Sequence, residues 1–291
     1  MIRKLHNSAI DRQKWDALVQ GSLCADVYAR SGFLDVVCPD WNGLILNDYE
    51  AVMPLPVKTK CCLKYIVQPV FSQRYGIYSQ QTLTEQELNL FRTEILKYRS
   101  IRINLSFRLF NTERQRRNYI LDLSKPYDEI SFNYSKNARR NCRKAQEYGL
   151  ACRQTNDMES ALRFFFAEDG SKNYVPYENQ IRKLVTSCPS EIYEVSLETK
   201  KYAVAIFLKT GTRLYYLFPA SSNEGKQHSA MFLLIDTVIK NYAGKNMILD
   251  FEGSEIEGVA RFYEGFGAEE EPYYYFEKHS LPIIGKLLKN R

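Results

Sequence analysis

Residues 248–269, ILDFEGSEIEGVARFYEGFGAE, run from an apolar strand through two carboxylates into an amphipathic helix. Because side chains alternate faces along a strand, Ile248, Asp250 and Glu252 share one face, and two carboxylates meet at the strand's end. Like charges held close together raise the pKa of one of them, which makes it a credible base for an ammonium nucleophile. Solvated carboxylates that favour the N-terminus of the following helix are the alternative.

The helix of this stretch has a predicted start and a predicted buried stripe. Ser254 and Glu257 have the S-x-x-E form of a capping box, which predicts Ser254 as the N-cap. Ile256, Val259, Ala260 and Tyr263 recur at helical spacing, so we expect them on the buried face. Tyr263 is therefore either a core residue or, if its hydroxyl reaches a cleft, a proton donor. Asp250, Glu252 and Tyr263 are the catalytic candidates.

Composition predicts a globular protein without a permanently bound cofactor. The 291 residues are 45% hydrophobic and 25% charged, and no apolar run approaches the roughly 20 residues that span a bilayer. The N-terminal sequence has no apolar signal core, and seven cysteines and three histidines form no metal-ligand spacing. We therefore expect a cytoplasmic protein without a metal or a disulfide framework. The net charge of +6 permits an anionic partner.

The order of predicted elements is repeated along the chain. A hairpin turning at Asn47-Asp48, a helix over 81–100 and the strand IRINLSF have the same order as a hairpin at Thr210-Gly211, an apolar helix and NMILDFEG. Thr84 and Glu87 form a plausible capping box in the first of these helices. The repeat predicts an α+β protein of two duplicated domains, 1–125 and 126–291, that meet near Pro126.

A basic helix is predicted over SFNYSKNARRNCRKAQEYGL, residues 131–150. Its cations recur at three- and four-residue spacings on one face, and they are Lys136, Arg139, Arg140, Arg143 and Lys144. Gly149 is a natural helix stop. The face is either solvated or a clamp for phosphate groups, because arginine and lysine suit RNA backbone or pyrophosphate.

Two loops supply further binding candidates. The loop SSNEGKQHS precedes an apolar helix, whose N-terminal N–H groups can hold phosphate with help from Lys226, Gln227, His228 and Ser229. The segment QPVFSQRYG could line the acceptor side of a cleft, and its candidates are Gln68, Gln73, Arg74 and Tyr75. The strand PYYYFEK could stack nucleotide bases, although packing is the simpler explanation in a chain with 21 tyrosines.

These motifs resemble the Gcn5-related acetyltransferase (GNAT) superfamily. The sequence VARFYEGFGA is similar to the A-x-x-x-Y-x-x-x-G-F pattern that places a tyrosine near the acyl donor, and it keeps Tyr263 and Gly267 with Ala268 in place of the aromatic residue. DFEGS and the basic helix resemble the tandem branch that contains the Fem-type aminoacyltransferases of peptidoglycan bridges. The resemblance extends over about 130–291. It implies two GNAT-like domains, each with a mixed, mostly antiparallel sheet flanked by helices.

The resemblance also implies the chemistry. An activated acyl group would move from acyl-CoA, such as acetyl-CoA, or from aminoacyl-tRNA onto an amine, for example of a cell-wall precursor. The place of the CoA pyrophosphate loop reads NEGKQHSA and does not fit the [QR]-x-x-G-x-[GA] pattern, which leaves the donor open. The expected partners are an anionic small molecule or tRNA, not DNA. A duplicated fold that has lost its chemistry and only binds an anionic ligand or RNA is the alternative function.

Overall fold

The computed structural model describes residues 1–60, 62–168 and 174–279. Two compact units make up the chain. Unit 1 contains Met1–Arg116 and the segment that begins at Pro272, and unit 2 contains Arg117–Glu271.

This division differs from the predicted domains 1–125 and 126–291. The strand Tyr119–Asp122 pairs with Ile248–Asp250 in unit 2, so the second unit begins before Pro126. The aromatic strand Tyr273–His279 returns to unit 1, where it pairs with Ser100–Leu105. Strand pairing between segments far apart in sequence therefore decides the boundary.

The described residues of unit 1 form two sheets and three α-helices. The first sheet has the order β1 (Ile2–His6), β2 (Asn42–Leu46), β3 (Ala51–Leu55) and β6 (Tyr78–Ser79), and all its pairs are antiparallel. The second has the order β4 (Val57–Lys60), β5 (Leu63–Val67), β7 (Ser100–Leu105), β16 (Tyr273–His279) and β8 (Arg114–Arg116). The helices are α1 (Arg12–Gly21), α2 (Ser31–Val37) and α3 (Glu85–Leu96).

Unit 2 is built on one sheet of seven strands. Their order is β10 (Ala151–Thr155), β11 (Ser190–Leu197), β12 (Lys200–Lys209), β13 (Arg213–Ser221), β14 (Ile248–Asp250), β9 (Tyr119–Asp122) and β15 (Glu269–Glu270). The described helices are α4 (Tyr127–Phe132), α5 (Lys136–Glu147), α6 (Met158–Glu168), α7 (Glu178–Ser187), α8 (Asn223–Gln227), α9 (Ala230–Tyr242) and α10 (Glu257–Glu264). The predicted α+β class, with mostly antiparallel sheets flanked by helices, is confirmed.

Several predicted turns and one predicted helix cap are present in the structure. Both predicted hairpins are present, and Thr84 and Glu87 make a complete capping box on α3. Gly149 and Gly244 have positive φ beyond the ends of α5 and α9, a conformation that glycine adopts without steric cost. In the described part of the chain, no helix combines the length and the apolar character needed to cross a membrane.

The internal repeat is a parallel crossover in each unit. In unit 1, β5 pairs in parallel with β7 after the chain has passed through α3. In unit 2, β13 pairs in parallel with β14 after the chain has passed through α9. A parallel pair requires such a crossover connection. In unit 1 the hairpin that precedes the crossover is β4–β5, whereas the predicted hairpin at Asn47-Asp48 belongs to the other sheet.

Candidate functional site

The parallel strands of unit 2 separate after a short paired segment. β13 and β14 are in register only from Arg213–Tyr215 against Ile248–Asp250, whereas β13 continues to Ser221. On its other side, β13 has a register shift against β12, with Phe207 opposite Tyr216 and Ile206 opposite Phe218. Such a bulge bends a strand and increases its twist. The sheet therefore opens where β14 ends.

A cavity of about 440 Å³ occupies this opening. β13, the turn between α8 and α9, the first turn of α9 and α10 form its walls. The lining is mainly apolar and aromatic, and it contains Tyr216, Pro219, Ser221, Gly225, Lys226, Ser229, Met231, Phe232, Gly258, Val259, Phe262 and Tyr263. An apolar concave site with a few polar groups is typical of small-molecule binding.

Tyr263 lies on the wall of this cavity. Only 7% of the residue is exposed, and its ring stacks on Phe251 at 4.6 Å between centroids and meets Tyr216 edge to face. Among the described residues, its hydroxyl has no hydrogen-bond partner. Burial and the nearby negative charges of Glu252 and Asp250 raise the pKa of Tyr263 above its ordinary value of 10.0. The phenol is therefore protonated at neutral pH.

Asp250 is fully buried, and both of its carboxylate oxygens are engaged. Arg213 Nη1 donates to Oδ2 at 2.7 Å, and the backbone N–H of Glu252 donates to Oδ1 at 2.9 Å. Arg213 also holds Glu271 through two hydrogen bonds of 2.8 and 2.9 Å. Burial works against the charge of Arg213, but the two carboxylates prevail and raise the pKa of its guanidinium. This geometry gives Asp250 a structural anchor on each oxygen.

Glu252 is the carboxylate that remains half-exposed beside Tyr263. Its backbone has φ of 64°, in the left-handed region that residues other than glycine rarely adopt. The hydrogen bond from its N–H to Asp250 holds the backbone in this conformation. Strained backbone of this kind concentrates at functional sites, where the surrounding structure imposes it.

The predicted capping box at Ser254 does not form. α10 begins at Glu257, its N-cap is Ile256, and no side chain caps it. The Ser254 hydroxyl instead accepts a hydrogen bond from the N–H of Ile256 at 3.1 Å, so it closes a tight turn before the helix. Ile256 is 69% exposed and does not belong to the buried stripe, whereas Ala260 and Tyr263 do. The later helix start explains both differences.

The loop SSNEGKQHS folds into α8 and a tight turn. Ser222 caps α8 by accepting from the N–H of Gly225 at 2.9 Å. Ser229 then begins α9 in the left-handed region, and its hydroxyl donates to Asn141 of α5 at 2.8 Å. A Cβ at Gly225 would lie 2.0 Å from the carbonyl oxygen of Tyr202. The glycine therefore allows the loop to pack directly on β12.

The four donor-binding candidates of this loop separate in space. Lys226 and Ser229 line the cavity. His228 stacks on the Tyr148 ring with 3.5 Å between centroids, and Gln227 is exposed. Gln227 and His228 do not line the cavity, and their contact with a donor stays a prediction.

The basic helix forms as α5, from Lys136 to Glu147. Ser135 caps it, and Ala138, Cys142 and Ala145 face the core. The opposite face exposes all the predicted cations, Lys136, Arg139, Arg140, Arg143 and Lys144. Within the described residues none of them forms an ion pair, although Arg139 donates to the carbonyl of Tyr134 and Arg140 to Asn137. This face carries a concentrated positive charge outside the cavity.

The acceptor candidates of QPVFSQRYG belong to a hydrogen-bonded loop of unit 1. Gln68 accepts from the N–H of Asn104, whose amide in turn donates to the carbonyl of Gln73. Arg74 donates to Gln73 at 2.6 Å, and the hydroxyl of Tyr75 donates to Ser72. Gln73, Arg74 and Tyr75 are buried. These bonds fasten the loop to β7, and a contact with an acceptor stays a prediction.

Comparison with known proteins decides the fold family. Residues 133–258 match the family described as "Acetyltransferase (GNAT) domain". Over these residues unit 2 is similar to a GNAT domain. The matched region includes the basic helix α5 and the cavity walls formed by β13, α8 and α9, and it ends at Gly258, before Val259, Phe262 and Tyr263 of α10. Among the curated proteins, no sequence matches this chain.

Solved structures extend the GNAT likeness to both units. The crystal structure of FemX has a TM-score of 0.68 at 15% identity and covers 98% of this chain and 99% of that chain. L-PGS from Bacillus licheniformis has a TM-score of 0.55 at 11% identity, with 97% of each chain covered. A tandem GNAT protein from the clavulanic acid biosynthesis pathway has a TM-score of 0.53 at 10% identity and covers 95% of this chain and 98% of that chain. The resemblance to the tandem GNAT branch is confirmed.

The GNAT domain uses several residues that sequence reasoning missed. Arg213 was missed because its two carboxylate partners lie 37 and 58 residues away in sequence. Met231, Phe232 and Phe262 line the cavity, although their apolar character alone predicts core positions. The signal that could have found Met231 and Phe232 was the uninterrupted run AMFLLI, which makes the start of α9 apolar on every side. In the described residues, no cluster of His, Cys, Asp or Glu could hold a metal ion.

Proposed function

We propose that unit 2 transfers an activated acyl or aminoacyl group onto an amine acceptor at the opening between β13 and β14. The observation that carries this proposal is the position of Tyr263: a protonated phenol at an apolar cavity, without a hydrogen-bond partner in the described residues. The GNAT domain and the structural likeness to FemX support transfer of this class.

Glu252 is the proposed base. It is half-exposed and close enough to Tyr263 for its charge to raise the pKa of the phenol. Asp250 is less suited, because both its oxygens already accept hydrogen bonds and its side chain is fully buried. Asp250 would instead hold the strained backbone of Glu252 in place as a positioning residue.

The reaction then follows the usual course of acyl transfer. Glu252 takes a proton from the ammonium acceptor, directly or through water, and the free amine attacks the acyl carbon to form a carbon–nitrogen bond. Backbone N–H groups of β13 beyond Tyr215, where β14 no longer pairs, would stabilise the oxyanion. The tetrahedral intermediate collapses by breaking the bond to the leaving oxygen or sulfur, and Tyr263 donates the proton that this atom takes up. The attacking nitrogen gives up its extra proton, directly or through water, to the Tyr263 phenolate, so that the amide forms and the phenol is restored.

Aminoacyl-tRNA is the donor that we favour over acyl-CoA. A phenol with a raised pKa matches a basic leaving group such as a ribose alkoxide better than a thiolate, which leaves without protonation. The exposed cations of α5 and Lys226 offer contacts for phosphates. The loop before α9 lacks a glycine-rich pyrophosphate motif, and its Gly225 packs against β12. The acceptor would be an amine of a cell-wall precursor in the cytosol.

A ligand screen followed by turnover tests this proposal. Aminoacyl-tRNA, acetyl-CoA and UDP-linked cell-wall precursors would each be added to the full chain, and the thermal unfolding midpoint measured. A ligand at about 100 times its Kd stabilises the chain by roughly 2.7 kcal/mol. Stabilisation by acetyl-CoA without a response to aminoacyl-tRNA would overturn the donor assignment. No response to any of these ligands would count against the transferase.

The alternative is a GNAT-like module that binds an anionic ligand or RNA without turnover. The unpaired cations of α5 favour this alternative, because they would bind a polyanion whether or not the module catalyses a reaction. Tyr263→Phe separates the two functions. An enzyme would keep ligand binding and lose turnover in this variant, whereas a binding module would show no turnover in either form.

A further inference from the structure

The two faces of the five-stranded sheet in unit 1 have different chemistry. One face carries buried apolar residues, namely Ile66, Ile101, Ile103, Leu105 and Phe276. Because side chains alternate along each strand, the opposite face presents the residues between them. Its charged and aromatic members are Lys58, Lys60, Tyr65, Arg102, Arg114, Arg116, Tyr273, Tyr275, Glu277 and His279. We call this surface the basic sheet face.

Strand register places these side chains beside one another. Lys58 on β4 is opposite Tyr65 on β5, Arg102 on β7 is opposite Glu277, and Arg114 on β8 is opposite Tyr275. β4 and β8 are the two edges of the sheet. With strands about 4.8 Å apart, the basic sheet face extends across four spacings, or about 19 Å. It is assembled from five separate parts of the sequence, and Ser100, Asn104 and Tyr273 on the same face are buried.

Tyr275 lies on β16, next to the edge strand β8 of this surface. The guanidinium of Arg116 lies over its ring, 4.6 Å from the centroid. Burial and the nearby charge of Glu277 raise the pKa of Tyr275, whereas the nearby charge of Arg102 lowers it. The ring is half-buried, so it is held in place. A planar guanidinium stacked on a fixed aromatic ring offers the kind of platform on which nucleotide bases stack.

The charge of the surface is strongly positive. Lys58, Lys60 and Arg114 are exposed, and the one carboxylate among the described strand residues of this face, Glu277, already receives a hydrogen bond from His279. Cations that flank half-exposed aromatic rings fit a chain of phosphates and accessible bases. The bases of a duplex are stacked inside it and cannot stack on these rings. An acidic peptide would pair with the cations, but its carboxylates would not stack on the rings.

We infer that the basic sheet face of unit 1 binds a single-stranded polynucleotide, with Arg116 and Tyr275 stacking a base and Lys58, Lys60 and Arg114 contacting phosphates. The inference goes beyond the transfer reaction of unit 2 and does not rest on it.

Binding of labelled oligonucleotides to the full chain tests this inference. An oligouridylate RNA, the matched oligothymidylate DNA and a duplex would be compared by fluorescence anisotropy over a range of salt concentrations. We expect both single strands to bind, with the duplex weaker. The Arg114→Ala/Arg116→Ala variant should weaken binding and reduce the slope of log K against log salt by roughly 0.7 for each phosphate that the variant no longer neutralises. Tyr275→Leu should weaken binding by roughly 5- to 100-fold with an unchanged slope.

A matched control comes from the other unit. Arg163→Ala/Lys183→Ala removes two exposed cations from α6 and α7, to which no binding role is assigned, and should leave oligonucleotide binding unchanged. Should the β8 variant fail to fold, Lys58→Ala/Lys60→Ala on the exposed hairpin gives the same phosphate readout. Three results would each overturn the inference: no binding of single strands at low salt, equally tight binding of the duplex, or loss of binding in the α6/α7 control alone. The assay contains no acyl donor, so its outcome is separate from that of the transfer reaction.

Discussion

Arg213 donates a 2.7 Å hydrogen bond to the fully buried carboxylate of Asp250 and spans the paired segment of β13 and β14, from the first position, opposite Ile248, to the last. Asp250 lies where the two strands are about to separate. It therefore fixes the end of β14 and, through the N–H of Glu252, the start of the segment that leads to α10. The opening of the sheet and the position of the proposed base depend on the same ion pair.

Removing one partner of this ion pair should destabilise unit 2 strongly. Arg213→Met leaves the buried Asp250 carboxylate without its cation, which costs about 3–5 kcal/mol. Asp250→Asn should cost less, about 1.5–3 kcal/mol, because Arg213 keeps its bonds to Glu271. Denaturant unfolding measures both. Arg261→Met, at an exposed ion pair on α10, is the control and should change the free energy of unfolding by no more than about 1 kcal/mol.

Substitutions of the neighbouring carboxylates Glu252 and Asp250 should affect turnover and stability differently. Glu252→Gln removes the proposed base from a half-exposed site, so turnover should fall by about 10²–10⁴ while the free energy of unfolding changes little. Asp250→Asn should lose stability as well as turnover, since it loosens the backbone of Glu252. Steady-state rates and unfolding curves of both variants provide the comparison. A Glu252→Gln enzyme with normal turnover would remove Glu252 from the mechanism.

The role of Tyr263 should be measurable in turnover and at alkaline pH. Tyr263→Phe removes the proton donor and keeps the ring stacked on Phe251, so turnover should fall by about 10²–10⁴ with binding retained. Burial and the charges of Glu252 and Asp250 raise the pKa of Tyr263 in the folded state. The stability that the protonated phenol contributes is fully present below pH about 10 and is lost as pH rises through the raised folded pKa. The stability difference between wild type and Tyr263→Phe should therefore decrease above pH about 10.

Two glycines should respond in opposite ways to the same substitution. Gly225→Ala forces a Cβ to within 2.0 Å of the Tyr202 carbonyl, so α8 must move and the chain should be destabilised. At Gly258, in α10, a Cβ meets nothing within 4 Å, and alanine should stabilise the helix by up to about 1 kcal/mol. Thermal unfolding of the two variants checks this. Equal effects would contradict the close packing of the loop on β12.

Much of unit 2 could be predicted from the sequence because its signals are local. The hairpin at Thr210-Gly211, the amphipathic α5 and the apolar α9 depend on periodicity and turn residues that a short window contains. The start of α10 could not be predicted, because the Ser254 hydroxyl closes a turn instead of capping the helix. Both outcomes use a hydroxyl and a nearby N–H, and the packing of the segment after Asp250 decides between them.

Local patterns in the amino-acid sequence were enough to establish the α+β class, the repeated element order, the basic face of α5 and the candidacy of Asp250, Glu252 and Tyr263. What those candidates contact depends on the folded chain. Arg213 reaches Asp250 because parallel strands bring residues from separate segments into register, and the same pairing rule takes Tyr273–His279 back to unit 1. Periodicity assigns a residue to a face of its own helix or strand. The partner on that face comes from another part of the chain, and only the assembled sheet supplies it.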